Sequence, residues 1–126
     1  MTAIPGYVPA GQGEAYRFLG DKCTLLVSSE DTSGRSSTLE VAISPEREYG
    51  QHTHEDTDEQ MYILDGAVTM HVGETTFRAA SGDLVFVARG TAHSLSTDAT
   101  AAKMLVTYTP GGPEQFIRER GEAILD

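Results

Sequence analysis

The sequence predicts an all-β domain, a barrel or sandwich of short strands followed by one C-terminal helix. Three observations carry this. Apolar and polar residues alternate over short runs, as in Thr38-Leu39-Glu40-Val41-Ala42-Ile43-Ser44, which is the period of a half-buried strand. Turn residues such as Asp65-Gly66, Gly73-Glu74 and Ser81-Gly82-Asp83 separate these runs. Helix signals at both ends of a stretch occur only after Pro113. At 126 residues the chain makes one domain with one modest core.

Taken in order, residues 1–14 carry Pro5, Gly6, Pro9, Gly11 and Gly13 and read as an irregular arm, with the single domain at 15–126. A short strand is expected at 16–19, a turn at Gly20-Asp21, and a second strand at 22–29. Residues 28–37 hold six Ser or Thr with Gly34 and read as a flexible loop, either a lid or a plain connector. The strand at 38–44 buries Leu39, Val41 and Ile43 and ends at Pro45. A loop follows, then strands at 60–64 and 67–72, joined by the hairpin dipeptide Asp65-Gly66. Further strands are expected at 75–79, 84–87 and 101–109, with a bend at Ala88-Arg89-Gly90. Pro113 suits the first position of a helix that has Glu114 near its start and Arg118 and Arg120 near its end, as the helix dipole favours. Gly121 caps it, and Phe116 and Ile117 are its expected anchors.

Composition narrows the function. The formal charge is −10, from 9 basic and 19 acidic residues, so no basic face exists to displace counterions from nucleic acid. The same acidity disfavours highly anionic substrates. No segment has the roughly 20 apolar residues of a membrane helix, and the first residues lack the basic start and apolar core of a signal peptide. Cys23, the single cysteine, sits in an apolar run and reads as a packed small side chain. A reducing compartment, and thus a cytoplasmic location, is expected.

The chemistry concentrates in Gly50-Gln51-His52-Thr53-His54-Glu55-Asp56-Thr57-Asp58-Glu59. His52 and His54 are two apart, which on a strand puts both imidazoles on one face. Glu59 follows five residues later, and His93 is a fourth candidate. Three imidazoles and a carboxylate suit one divalent transition metal: Fe, Mn, Co, Ni, Zn or Cu. His71 lies in a run whose apolar face is Val68, Met70 and Val72. It points the other way and is excluded.

These residues resemble the two motifs of the cupin superfamily. The first, G-x5-H-x-H-x3–4-E-x6-G, is matched by His52, His54, Glu59 and Gly66, with Glu46 in place of the leading glycine. The second, G-x5-P-x-G-x2-H-x3-N, is matched by Gly82, Gly90 and His93, with Ala88 for the proline and Thr97 for the asparagine. The resemblance spans about 25–109 and implies the cupin double-stranded β-helix, a jelly-roll barrel. It also implies one metal ion per chain on His52, His54, Glu59 and His93, and a homodimer contacted by residues 1–20. The flanks Gly13-Glu14-Ala15-Tyr16-Arg17-Phe18-Leu19-Gly20 and Thr109-Pro110-Gly111-Gly112-Pro113-Glu114-Gln115-Phe116 resemble those of bacterial quercetin 2,3-dioxygenase-like cupins.

Four protein ligands leave one or two positions open for a substrate hydroxyl or enolate, whose proton Glu59 would take as both ligand and base. Met61, Ile63, Val85, Val87, Met104 and Val106 are candidates for an apolar lining, although any single one of them reads first as ordinary barrel core. Tyr108 or Tyr62 would donate a hydrogen bond there. The expectation is a metal-dependent enzyme for a small, hydroxylated, largely apolar molecule, aromatic or polyketide-like. Quercetinase-type dioxygenation leads. The alternatives are a non-redox cyclase or isomerase, or a non-catalytic ligand-binding cupin.

Overall fold

In the computed structural model, residues 6–125 are described; the first five residues of the expected arm lie outside that range. Eleven strands and one helix follow in order: β1 (Glu14–Phe18), β2 (Asp21–Val27), β3 (Ser37–Ile43), β4 (Glu48–His52), β5 (Asp58–Asp65), β6 (Ala67–Val72), β7 (Thr75–Ala80), β8 (Leu84–Val87), β9 (His93–Ser96), β10 (Ala102–Thr109), α1 (Glu114–Arg120) and β11 (Glu122–Ala123). They form a seven-stranded sheet, β11-β1-β2-β3-β10-β5-β8, and a four-stranded sheet, β4-β9-β6-β7. This is the jelly-roll barrel. Among the described residues no helix is long and apolar enough to cross a membrane.

Strand parity decides what fills the barrel. Met61 and Ile63 on β5, Val68 and Met70 on β6, Val87 on β8 and Val106 on β10 are all at most 2% exposed. Their alternate neighbours, such as Tyr62 and Leu64, face outward. The β5–β6 hairpin turns at Gly66, whose φ is +73°. A Cβ there would stand 2.3 Å from the Ala101 carbonyl oxygen, so only glycine fits.

Three strands depart from the expected pattern. Residues expected as loop after Pro45 include β4, and the segment expected only to bend before His93 continues into β9. β4 carries no apolar alternation because Glu48-Tyr49-Gly50-Gln51-His52 lies along an open mouth and is half-buried at best. β9, His93-Ser94-Leu95-Ser96, does alternate, but His93 rather than a hydrocarbon holds a buried position. β11 is two residues long, paired to β1.

The loop at 28–37 contains a short 3₁₀ turn at Glu30–Thr32 and serves as a latch. Glu114, 1% exposed, accepts from the Ser29 amide at 2.7 Å, from the Ser29 hydroxyl, and from the Gly112 amide at 2.9 Å. Burial alone would raise this carboxyl, but the hydrogen bonds from Ser29 outweigh it and hold the pKa at about 2. Arg118 adds ion pairs to Glu14 at 2.9 Å and Glu30 at 2.7 Å. Helix α1 is thereby fixed across one end of the barrel, with Pro113 already helical at φ −59° and ψ −24°.

Candidate metal centre

His52 ends β4, and His54 lies two residues on, past the strand. Their rings still converge, with centroids 5.1 Å apart. Glu59 enters from β5 in the facing sheet, and His93 opens β9, in register with His52. One donor atom from each of His52, His54, Glu59 and His93 lies within 4.8 Å of all the others. A first-row ion about 2.1 Å from each donor needs them within roughly 4.2 Å of one another, a difference that small side-chain rotations close.

The hydrogen bonds orient the rings. His52 Nδ1 lies 3.1 Å from the Gly50 carbonyl oxygen, and His93 Nδ1 lies 2.9 Å from that of Thr91. A carbonyl only accepts, so each Nδ1 carries its proton and each neutral ring keeps its lone pair on Nε2. His93 Nε2 then stands 3.2 Å from Glu59 Oε1, a lone pair facing a carboxylate. His54 Nε2 is 3.4 Å from the same oxygen and, though buried, has no hydrogen-bond partner. Converging acceptors repel unless a cation sits among them. The donor set therefore fits a divalent metal ion, with the Gly50 and Thr91 carbonyls as supporting partners.

Titration follows from the same contacts. Burial works to raise the Glu59 carboxyl, but the histidines His54 and His93 beside it prevail and hold it at about 2. His52 is lowered, chiefly by burial. Burial also opposes protonation of His93, yet Glu59 and the Thr91 carbonyl raise it on balance. Glu59 is thus ionised, as a metal ligand must be.

A cavity of about 490 Å³ opens over His52, His54 and Glu59. Met104, Val106 and Tyr108, expected as lining, do line it. Met61, Ile63, Val85 and Val87 are instead packed into the core and do not reach it. They face inward as parity requires, but the barrel is filled at their level. Tyr108 settles the tyrosine alternative: its ring lies 5.5 Å from that of His54, whereas Tyr62 is 43% exposed on the outer face. His71 is exposed and pairs with Thr76 Oγ1 at 2.8 Å.

The mouth of the cavity was not foreseen. Phe18, Leu19, Tyr49, Pro113, Phe116 and Ile117 contribute to its wall. Phe18 and Phe116 meet edge to face at 5.7 Å. Tyr49 donates its hydroxyl to Asp21 Oδ2 at 2.5 Å, and Asp21, 1% exposed, also accepts from Ser44 and Arg47. Only the pairing of β4 with β9 brings Tyr49 inward, opposite Leu95. Cys23 lines the cavity too, where burial pushes its thiol up to about 11 and leaves it unreactive.

The positions that depart from the motifs have visible consequences. Glu46 adopts φ +57°, the left-handed conformation for which a glycine is suited. Thr97 replaces asparagine and still ties the loop: its Oγ1 accepts from the Arg47 amide at 3.0 Å and donates to the Ser44 carbonyl at 2.7 Å.

Comparison with known proteins agrees with this geometry. Over 125 residues the chain is 29% identical to quercetin 2,3-dioxygenase of Bacillus subtilis (strain 168), covering 95% of this chain and 36% of that protein. The chain thus spans about a third of the length of this curated relative. Among solved structures, a predicted oxalate decarboxylase from Thermotoga maritima superposes with a TM-score of 0.77 at 21% identity, covering 82% of this chain and 98% of that one. KdgF from Halomonas sp. gives 0.74 at 14% identity, with 86% and 96% covered. An RmlC-like cupin from Shewanella frigidimarina NCIMB 400 gives 0.75 at 18%, with 88% and 95% covered. These structures share the fold. The Cupin domain family matches residues 39–108, a span that begins at the cavity wall and contains all four donors, and the chain belongs to that family.

Proposed function

We propose that this protein is a metal-dependent cupin enzyme for a small, hydroxylated, largely apolar molecule, with quercetinase-type dioxygenation as its reaction. The observation that carries this reading is the makeup of the cavity. Its volume of about 490 Å³ lies within the roughly 300–1,000 Å³ of small-molecule sites. Aliphatic and aromatic side chains make most of its wall, and no Lys or Arg is among the described residues that line it. A carboxylate-rich or phosphorylated substrate would find no counter-charge beyond the metal, whereas a planar phenol would meet a wall that includes Phe18, Phe116 and Tyr108. The likeness to quercetin 2,3-dioxygenase supports the same choice.

A divalent ion on the four donors supplies Lewis acidity toward a substrate hydroxyl. Glu59, ionised and 5% exposed, accepts the hydroxyl proton on a carboxylate oxygen. His52 and His93 keep their orientation through Gly50 and Thr91, and the apolar wall excludes bulk water from the deprotonated substrate.

The test is turnover of a flavonol by metal-reconstituted protein with and without oxygen. Oxygen consumption matching flavonol loss is expected, with no turnover under anaerobic conditions. Turnover that proceeds equally without oxygen would replace dioxygenation by a cyclase or isomerase reaction. Tight binding without turnover under either atmosphere would make the protein a ligand-binding cupin.

A further inference from the structure

The two residues that turn β1 into β2 both have positive φ, +52° at Leu19 and +86° at Gly20. Phe18 pairs with Asp21 across them, so they form the two-residue hairpin that favours asparagine followed by glycine. Gly20 suits its place. Leu19 does not: a bulky side chain resists the left-handed region, and this one is also 65% exposed. An asparagine there would relieve the backbone and meet water on better terms. What leucine has and asparagine lacks is apolar surface, and Leu19 lines the cavity together with Phe18 and Phe116. Backbone strain that survives folding clusters at ligand clamps and active sites.

The turn is also fixed from behind. Asp21, which follows it, accepts from the Ser44 amide at 3.0 Å, the Ser44 hydroxyl at 2.6 Å and Arg47 Nε at 3.3 Å. Tyr49, itself part of the cavity wall, donates to the other carboxylate oxygen. The Arg47 guanidinium lies against Gly20, where a Cβ would stand 2.4 Å from Nη2. A buried carboxylate thereby ties the β1–β2 turn on one sheet to β4 on the other. A side chain held in place before a ligand arrives loses little freedom on meeting it. The metal donors Glu59 and His93 are only 5% and 3% exposed. They mark the inner end of the site, and Leu19 marks the outer.

We infer that Leu19 is a specificity-determining residue that covers the part of the substrate farthest from the metal donors. The site then selects phenols that carry a second ring, or an apolar group of similar size, over single-ring phenols. This rests on the reading of the cavity as a site for a hydroxylated apolar molecule, and it narrows that substrate class. A single ring anchored by its hydroxyl at the donors leaves much of a cavity of about 490 Å³ unfilled. A second ring extends toward Leu19 and gains the apolar contact that the strained turn presents.

Calorimetric binding of phenol and para-phenylphenol to the metal-loaded full chain tests this. Wild type should prefer the two-ring compound. Leu19→Asn should melt no lower than wild type, yet bind para-phenylphenol about tenfold more weakly, the scale of uncovering much of a leucine side chain. Its affinity for phenol should hardly change. Leu19→Met keeps the apolar surface and should bind both compounds as wild type does. An Asn variant that retains the full preference would overturn the inference and leave Leu19 a turn residue only. So would an equal loss of both affinities. Equal affinity of wild type for the two phenols would sink this inference alone, whereas binding of neither would sink the reading of the cavity with it. The expected pattern supports the role of Leu19 even without flavonol turnover, because equilibrium binding needs no reaction.

Discussion

The amide of Gly90 donates to the carbonyl of His54 at 2.8 Å, so the bend before β9 holds the loop after β4. Two candidate metal donors distant in sequence, His54 and His93, are thereby linked through one backbone contact. Gly90 has φ +80°, which a side chain resists. Gly90→Val should cost about 1–2 kcal/mol of stability and weaken metal binding as His54 loses its tether. Urea titration and metal competition check both, and unchanged metal affinity would break the proposed link.

His54→Ala should lose most of the bound metal, since its buried Nε2 has no other partner. His71→Ala should lose none, because that ring is engaged with Thr76 outside the barrel. Metal analysis of both purified variants decides; equal loss would refute the donor assignment.

Glu59→Gln keeps a ligand oxygen and the side-chain volume but removes the base. Metal and substrate binding should largely survive while turnover falls by roughly 10²–10⁴-fold. A Gln variant with full activity would leave the reaction to the metal without a carboxylate base.

Glu114 should make stability depend on acid. Its folded pKa of about 2 lies below the ordinary 4.5, so its contribution is fully present above the unfolded value. It is lost as pH falls from about 4.5 toward 2, and its full size is roughly 3 kcal/mol by linkage. Glu114→Gln should flatten that part of the profile in denaturation measured from pH 6 down to pH 3, whereas an equal slope in the variant would assign the acid sensitivity elsewhere.

Glu46→Gly should raise stability by about 0.5–1 kcal/mol, since relief of the left-handed backbone exceeds the entropy glycine adds to the unfolded chain. A lower melting temperature in this variant would show that the Glu46 side chain contributes more than its backbone costs.

The fold was legible because alternation around Leu39, Val41 and Ile43 fixes which way a strand faces. The candidate donors were legible from the spacing of the two motifs they resemble, since parity alone places neither His54, past the end of β4, nor Glu59 and His93 on other strands. Gly66 announces its own turn. The cavity wall was less legible because it depends on which strands become neighbours. Tyr49 faces inward only because β4 pairs with β9, and nothing local announces that pairing. Met61 and Val85 share the inward parity of Met104, yet core packing takes the first two and the cavity takes the third. Glu114 read as a helix-dipole residue because its partner, Ser29, lies far back in the chain.

The wall of the cavity joins Phe18, next to the β1–β2 turn, to Phe116, on the C-terminal helix. The segments before β2 and after β10 thus shape what enters the cavity, while His52, His54, Glu59 and His93 all lie between them, so the width of the mouth can change without moving a donor.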